Sequence, residues 1–127
     1  MEGVFPNELA EKVFQISGQN VYACYQCGKC SGSCPFTSNM DLLPNVVIHK
    51  IQLGDESVLL AKTPWICAAC FTCSVRCPRD VDISKIMEAL RLITLRRGID
   101  RINLRKLKNV EELPTIALVA ASRKLTG

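Results

Sequence analysis

The chain has 127 residues, of which 48% are apolar and 22% are charged, and it carries a formal net charge of +4. This composition excludes a disordered chain and favours one small globular domain. Neither a basic start leading into an apolar run nor an apolar stretch long enough to cross a bilayer is present in the sequence. We therefore expect no secretory signal, no membrane span and a reducing, cytoplasmic location.

The spacing of apolar residues predicts helices along the whole chain. A first amphipathic helix is expected over residues 8–16, ending before Gly18. A second is expected over residues 42–53, ending at Gly54, because glycine readily adopts the left-handed conformation that closes a helix. A shorter helix over residues 55–62 is expected to stop ahead of Pro64.

The C-terminal part of the chain predicts two further helices. Asp82 is a suitable N-cap for a helix that runs to Gly98, and Pro114 suits the first turn of a last helix. No segment alternates apolar and polar residues, so the predicted fold class is all-α.

Positive charge is concentrated between residues 91 and 108, where a single acid, Asp100, stands among seven basic residues. All aromatic residues precede this segment, so it offers no rings on which bases would stack. We expect a basic connector that faces solvent or a partner protein, and no binding of nucleic acid. The basic residues are Arg91, Arg96, Arg97, Arg101, Arg105, Lys106 and Lys108.

All eight cysteines form one internal repeat. The run Cys-x2-Cys-x2-Cys-x3-Cys-Pro occurs twice, and each residue of the second copy follows its counterpart by 43 positions. Two pseudo-symmetric metal-binding halves are the simplest interpretation. The cysteines are Cys24, Cys27, Cys30 and Cys34 in the first motif, and Cys67, Cys70, Cys73 and Cys77 in the second.

This spacing is typical of proteins that hold [4Fe–4S] clusters, and in two-cluster ferredoxins the fourth cysteine of each run ligates the other cluster. The sequence therefore predicts two [4Fe–4S] clusters whose ligands are exchanged between the motifs. One set is Cys24, Cys27, Cys30 and Cys77, and the other is Cys67, Cys70, Cys73 and Cys34.

Structural zinc is the alternative for eight cysteines, although zinc does not require a triple run with a fourth cysteine and proline. Disulfides do not suit a reducing compartment, and no cysteine is left over for catalysis. The single histidine, His49, is expected on the surface or in packing. Aromatic and basic residues near the motifs are expected to shield the clusters or offset their charge. They are Tyr22, Tyr25, Trp65, Phe71, Lys29, Arg76 and Arg79.

The strings Cys24-Tyr-Gln-Cys-Gly-Lys-Cys-Ser-Gly-Ser-Cys-Pro35 and Cys67-Ala-Ala-Cys-Phe-Thr-Cys-Ser-Val-Arg-Cys-Pro78 resemble the C-type iron–sulfur subunit of heterodisulfide reductase. The segment Val81-Asp82-Ile83 and the ending Leu113-Pro-Thr-Ile-Ala-Leu-Val119 fit the same family. The resemblance implies an α-helical ferredoxin domain over residues 1–98. A basic connector and a partner-docking helix over residues 99–127 are expected to belong to the same domain. The alternative for the last helix is that it packs back on the core.

The resemblance also implies a function, that of a non-catalytic electron relay in an oxidoreductase complex of methanogenesis. The expected partners are the A-type subunit, which contains flavin and bifurcates electrons, and the B-type subunit, which reduces the disulfide of coenzyme M and coenzyme B. Hydrogenase or formate dehydrogenase subunits are further partners in such complexes. The chain has no adjacent cysteine pair and no Gly-x-Gly-x-x-Gly run, which agrees with a role without catalysis. A free dicluster ferredoxin, and a relay subunit that serves another thiol or disulfide, remain the alternatives.

Overall fold

A computed structural model of the chain describes residues 5–95 and 108–122. Within these ranges the chain contains helices and turns and no β-strand, which confirms the predicted all-α fold class. No helix in the same ranges is both long and apolar enough to traverse a bilayer. The chain divides into two compact units, Met1–Leu95 and Arg96–Gly127.

Among its described residues, 5–95, the first unit contains six α-helices and three short 3-10 helices. The α-helices are α1 (Glu8–Ser17), α2 (Lys29–Ser33), α3 (Pro44–Leu53), α4 (Thr63–Ile66), α5 (Thr72–Arg76) and α6 (Ile83–Leu95). The 3-10 helices cover Val21–Ala23, Thr37–Asn39 and Glu56–Leu60.

The ends of the long helices follow the sequence signals. Gly18 and Gly54 close α1 and α3 with φ angles of 70° and 74°, in the left-handed region that a side chain disfavours. At the start of α1, the Asn7 side chain accepts a hydrogen bond from the amide of Ala10. At the start of α6, Asp82 Oδ1 accepts one from the amide of Lys85, which confirms the predicted cap.

Three local features differ from the expectation. Residues 56–60 form a 3-10 helix rather than an α-helix, with Asp55 capping its first turn through the amide of Ser57. Pro64 lies in the first turn of a new helix, α4, where its missing amide hydrogen costs nothing. Helices α2 and α5 lie inside the cysteine motifs, where five-residue segments are too short for a periodic pattern to reveal them.

The core of the first unit is built from the apolar faces of α1, α3 and α6. Helix α6 packs against α1 and α4, and α1 also contacts α3. Helices α2 and α5 pack against each other, so the two motifs meet face to face above this core. The core residues with the least exposure include Ala10, Val13, Val21, Val47, Ile48, Ile51, Val58, Ile83, Ile86, Met87, Ala89 and Leu90.

The described part of the second unit holds a 3-10 helix, Val110–Glu112, and a last helix, α7 (Thr115–Ser122). The carbonyl oxygen of Pro114 accepts hydrogen bonds from the amides of Ala117 and Leu118, so the helix begins where the proline predicted it. Ile116 and Val119 are exposed on α7. Most of the predicted basic connector, and the predicted end of α6 at Gly98, lie outside the described residues. The predicted domain arrangement therefore stays a prediction.

Candidate metal centre

The eight cysteines line two cavities, with four cysteines in each. The first cavity is lined by Cys24, Cys27, Cys30 and Cys77. The second cavity is lined by Cys67, Cys70, Cys73 and Cys34. Each cavity thus combines three cysteines of one motif with the fourth cysteine of the other.

The two motifs share one unusual backbone conformation. Gln26 and Gly28 have φ angles of 63° and 76°, and their counterparts 43 positions later, Ala69 and Phe71, have φ angles of 51° and 62°. Left-handed residues between the cysteines turn successive backbone amides towards one side of the loop, as in anion-binding nests. Only Gly28 signalled this conformation in the sequence. In the second motif non-glycine residues bear the strain, which is uncommon outside functional sites.

The thiols differ in exposure and therefore in acidity. Cys30 is buried, Cys27 and Cys70 are exposed, and the other five are intermediate. Burial raises the pKa of the Cys30 and Cys73 thiols, because it disfavours the thiolate. A side-chain hydrogen bond with Thr72 lowers the pKa of Cys70. All eight cysteines lie within the described residues, and none of them forms a disulfide.

Backbone amides already approach two of the sulfur atoms. The amide of Gln26 donates to Cys24 Sγ at 3.4 Å, and the amide of Val81 donates to Cys77 Sγ at the same distance. Both sulfurs belong to the first cavity. Hydrogen bonds of this kind favour the thiolate form that a metal requires.

The two cavities have different walls. Phe36, Met40, Phe71 and Met87 line the second cavity, so its interior is almost wholly apolar and keeps water out. The first cavity is also mainly apolar, with Ile48, Val81 and Ile83 in its wall, and it differs by the presence of Lys29 and Asn45. Lys29 is the first residue of α2, inside the first motif, and Asn45 lies in the first turn of α3.

The aromatic residues near the motifs have more varied roles than the sequence predicted. Phe71 lines the second cavity, although 54% of its surface is exposed. Tyr22 stabilises the fold instead, because its hydroxyl accepts from Asn7 Nδ2 at 2.6 Å and donates to the carbonyl oxygen of Gln52 at 3.2 Å. Tyr25 and Trp65 are exposed.

The basic residues lie beside the motifs, and their role in offsetting cluster charge stays a prediction. Arg79 Nε donates to the carbonyl oxygen of Ala23, just before the first motif, and Arg76 and Lys29 share a surface cleft between α5 and α2. His49 is exposed, with its ring Nδ1 3.4 Å from Gln52 Oε1, in agreement with a surface role.

The donor set fits an iron–sulfur cluster in each cavity. Four thiols surround an apolar space, and thiolates are the ligands that iron–sulfur clusters take. No group of three or more cysteine, histidine or carboxylate residues in the described ranges is arranged to hold a metal ion. The four thiolates that bind a four-iron cluster stand further apart than the ligands of a single metal ion, because each thiolate binds its own iron.

Comparison with known proteins agrees with this chemistry. The 4Fe-4S dicluster domain family matches residues 20–81, which include both motifs. The iron–sulfur C 2 subunit of the CoB–CoM heterodisulfide reductase of Methanocaldococcus jannaschii is 40% identical over 98 residues, which cover 74% of this chain and 53% of that protein. The C2 subunit of the H2/formate:CoB-CoM heterodisulfide,ferredoxin reductase of Methanococcus maripaludis is 38% identical over 98 residues, with the same coverage.

A third relative comes from another organism. The C-type subunit of the ferredoxin:CoB-CoM heterodisulfide reductase of Methanosarcina mazei is 34% identical over 90 residues, which cover 71% of this chain and 56% of that protein. The chain belongs to the family of heterodisulfide reductase C-type subunits. It spans about half the length of the curated relatives it matches. Its dicluster domain and its eight cysteines identify this family member as an iron–sulfur protein.

Proposed function

We propose that this heterodisulfide reductase C-type chain holds two [4Fe–4S] clusters, one in each cavity. Cys24, Cys27, Cys30 and Cys77 are the ligands in the first cavity, and Cys67, Cys70, Cys73 and Cys34 are the ligands in the second. The observation that carries the proposal is the composition of the two cavities, each of which takes three cysteines from one motif and the fourth from the other.

The residues around the cysteines prepare these sites. The left-handed positions at Gln26 and Gly28 aim backbone amides at the ligands, and the packing of α2 on α5 holds the two motifs together. Phe36, Met40 and Met87 keep water out of the second cavity. Because reduction potential depends on hydrogen bonds to sulfur and on solvent exposure, these features control the redox properties of the chain.

We propose further that the chain is the electron-transfer subunit of a heterodisulfide reductase complex. When bound, such clusters accept and release single electrons. Cys27 and Cys70 are the exposed cysteines, and they occupy equivalent positions of the two motifs. Each cavity therefore has one edge close to the surface, which a relay between two partners requires.

The proposed partners are the flavin-containing A-type subunit, which supplies electrons, and the B-type subunit, which reduces the disulfide of coenzyme M and coenzyme B. The relatives named above all belong to reductases that act on the CoB–CoM heterodisulfide. A reducing, cytoplasmic location is part of the same proposal, since eight free thiols need such a compartment.

Single cysteine-to-serine variants of the anaerobically purified holoprotein test the ligand sets. Under the exchanged scheme, Cys34→Ser disturbs the same electron paramagnetic resonance signal as Cys67→Ser. In turn Cys77→Ser disturbs the same signal as Cys24→Ser. Ser33→Ala, next to Cys34, is the matched control and leaves both signals intact.

If Cys34→Ser instead reproduces the spectrum of Cys24→Ser, each motif holds its own cluster and the exchanged scheme is wrong. Iron and acid-labile sulfide are measured on the same samples. Zinc in place of iron, without sulfide, would refute the iron–sulfur assignment itself.

Anaerobic affinity purification of the tagged chain from its native cell tests the role in a complex. We expect co-purification of a flavin-containing chain and of a second chain rich in adjacent cysteines, both identified by mass spectrometry. Recovery of the brown protein alone, at low ionic strength, would favour a free dicluster ferredoxin over a role within a complex.

A further inference from the structure

The serine that follows the third cysteine of each motif ties the motif to the next long helix. Ser31 Oγ donates to Asn45 Oδ1 and accepts a hydrogen bond of 3.1 Å from the Asn45 amide, at the start of α3. Ser74, 43 positions after Ser31, donates to Asp82 Oδ1 at 2.7 Å, at the start of α6. The two motifs thus repeat the same hydrogen-bonded link, with an amide in one copy and a carboxylate in the other.

Both links reach the wall of a cavity. Asn45 itself lines the first cavity. Ser84, which lines the second cavity, donates a hydrogen bond of 2.5 Å to Asp82 Oδ1. The carboxylate of Asp82 is half-buried and is separated from the second cavity by a single hydroxyl group.

Asp82 carries its negative charge at neutral pH. Burial acts to raise the pKa of its carboxyl group, but hydrogen bonds from the Ser74 and Ser84 hydroxyls and from the Lys85 amide outweigh burial, so the net shift of the pKa is downward. Asn45 has no charge in the same role.

We propose that Asn45 and Asp82 make the two cluster sites electrostatically unequal, with Asp82 lowering the reduction potential at the second cavity. This inference rests on the proposed function. Reduction adds negative charge, and a fixed carboxylate beside an apolar cavity opposes that addition far more than a carboxylate in bulk water does. The amide of Asn45 offers a dipole instead of a charge, so the corresponding link at the first cavity adds no charge that opposes reduction.

Two positive groups also stand near the second cavity. Lys85 Nζ lies 3.7 Å from Asp82 Oδ2, in a partly exposed ion pair. Arg91 Nη1 donates to the carbonyl oxygen of Cys67 at 3.4 Å. Because these groups act in the opposite direction to the Asp82 carboxylate, the decisive comparison is between variants that change one charge at a time.

The test is a potentiometric titration of the anaerobic holoprotein, monitored by electron paramagnetic resonance and resolved into two one-electron steps. Asp82→Asn keeps a good N-cap for α6, since asparagine and aspartate cap helices equally well. Asn45→Asp introduces the charge at the first cavity. Asp80→Asn is the matched control, because it removes an exposed carboxylate two residues before Asp82 and suits the positive φ of 53° at that position.

We expect Asp82→Asn to raise the reduction potential of one step. The expected change is threefold to tenfold in the equilibrium constant of that step, which is about 28 to 59 mV for one electron. Asn45→Asp should lower the reduction potential of the other step, with a similar factor in its equilibrium constant. Asp80→Asn should change the equilibrium constant of each step by less than about twofold, because water screens the charge of the Asp80 carboxylate.

Three results would overturn the inference: no shift in either charge variant, a shift of the same step in both, or equal shifts in Asp82→Asn and Asp80→Asn. Iron analysis separates these results from a failure of the proposed function. Holoprotein that lacks two reducible clusters refutes the proposed function, whereas holoprotein with two clusters and unmoved potentials refutes only this inference. If Asp82→Asn does not assemble, Asn45→Asp alone tests whether charge at this link controls the potential.

Discussion

Asp41 joins the two halves of the first unit, and its removal should weaken the whole unit. Its carboxylate accepts hydrogen bonds from the amides of Lys62 at 2.8 Å and Thr63 at 3.0 Å, and thereby caps α4, the helix that leads into the second motif. The Thr63 hydroxyl, which is fully buried, also contacts Asp41 Oδ1 at 2.8 Å.

The cost of Asp41→Ala follows from these contacts. Loss of a helix cap costs about 0.5–2 kcal/mol, and a hydrogen bond to a charged group contributes about 1.5–3 kcal/mol. Asp41 is exposed, so water replaces part of what the carboxylate loses, and the Thr63 hydroxyl keeps the carbonyl oxygen of Leu42 as a partner at 2.6 Å. We expect a destabilisation of about 2 kcal/mol, which lowers the Tm by about 8–16 °C in a domain of this size.

The assay is anaerobic thermal unfolding of the holoprotein, followed by far-ultraviolet circular dichroism and by cluster absorbance. Glu88→Ala removes the same charge from the exposed face of α6 and should stay within about 0.5 kcal/mol of the parent protein. A Tm of Asp41→Ala equal to that of the parent, or an equal loss in Glu88→Ala, would refute the argument that this cap holds the second motif.

The stabilisation that the Asp41 carboxylate provides depends on pH with a definite sign. The amide of Lys62, followed by hydrogen bonds from Thr63 and Leu42, outweighs burial and lowers the pKa of Asp41 to about 2. Because this lies below the unfolded-state pKa of about 3.9, the stabilisation is complete above about pH 4 and is lost as the pH falls towards 2. The Tm difference between the parent and Asp41→Asn should therefore be constant from about pH 6 to 8; a difference that shrinks across that range would contradict the assignment.

The remaining predictions concern helix ends, an aromatic hydroxyl and the metal. Gly54→Ala should destabilise more than Gly18→Ala in thermal melts, because both have positive φ but only a Cβ at Gly54 would meet Asn7 Cβ, at 3.2 Å. Equal losses of Tm in the two variants would show that the close approach of Asn7 to Gly54 does not affect stability. Tyr22→Phe should cost about 1 kcal/mol through its lost hydrogen bonds and leave the cluster spectra unchanged, whereas altered spectra would assign Tyr22 to a cluster. Removal of iron by a chelator should largely unfold the protein, and a cooperative native-like melt of the apoprotein would contradict this.

Local signals in the sequence were sufficient for the long helices. As helix ends, Gly18, Gly54 and Asp82 act on backbone groups within four residues, so these ends depend little on the rest of the chain. The repeat of 43 residues likewise predicted two equivalent halves, and the matching left-handed positions at Gln26 and Ala69 follow that repeat. The assignment of Cys34 and Cys77 to exchanged sites stays a prediction, which the composition of the two cavities supports.

Only the tertiary structure decided which polar side chains bond to residues far away in the chain. The sequence contains no sign that Asp41 caps a helix more than twenty positions away, that Tyr22 bonds to Gln52, or that Ser31 and Ser74 take different partners. Polar side chains have many competing partners in an unfolded chain, and the packing of apolar faces selects one of them. Cysteine spacing therefore determines the chemistry of this protein, whereas the charges that make its two sites unequal are set by how α3 and α6 pack beside them.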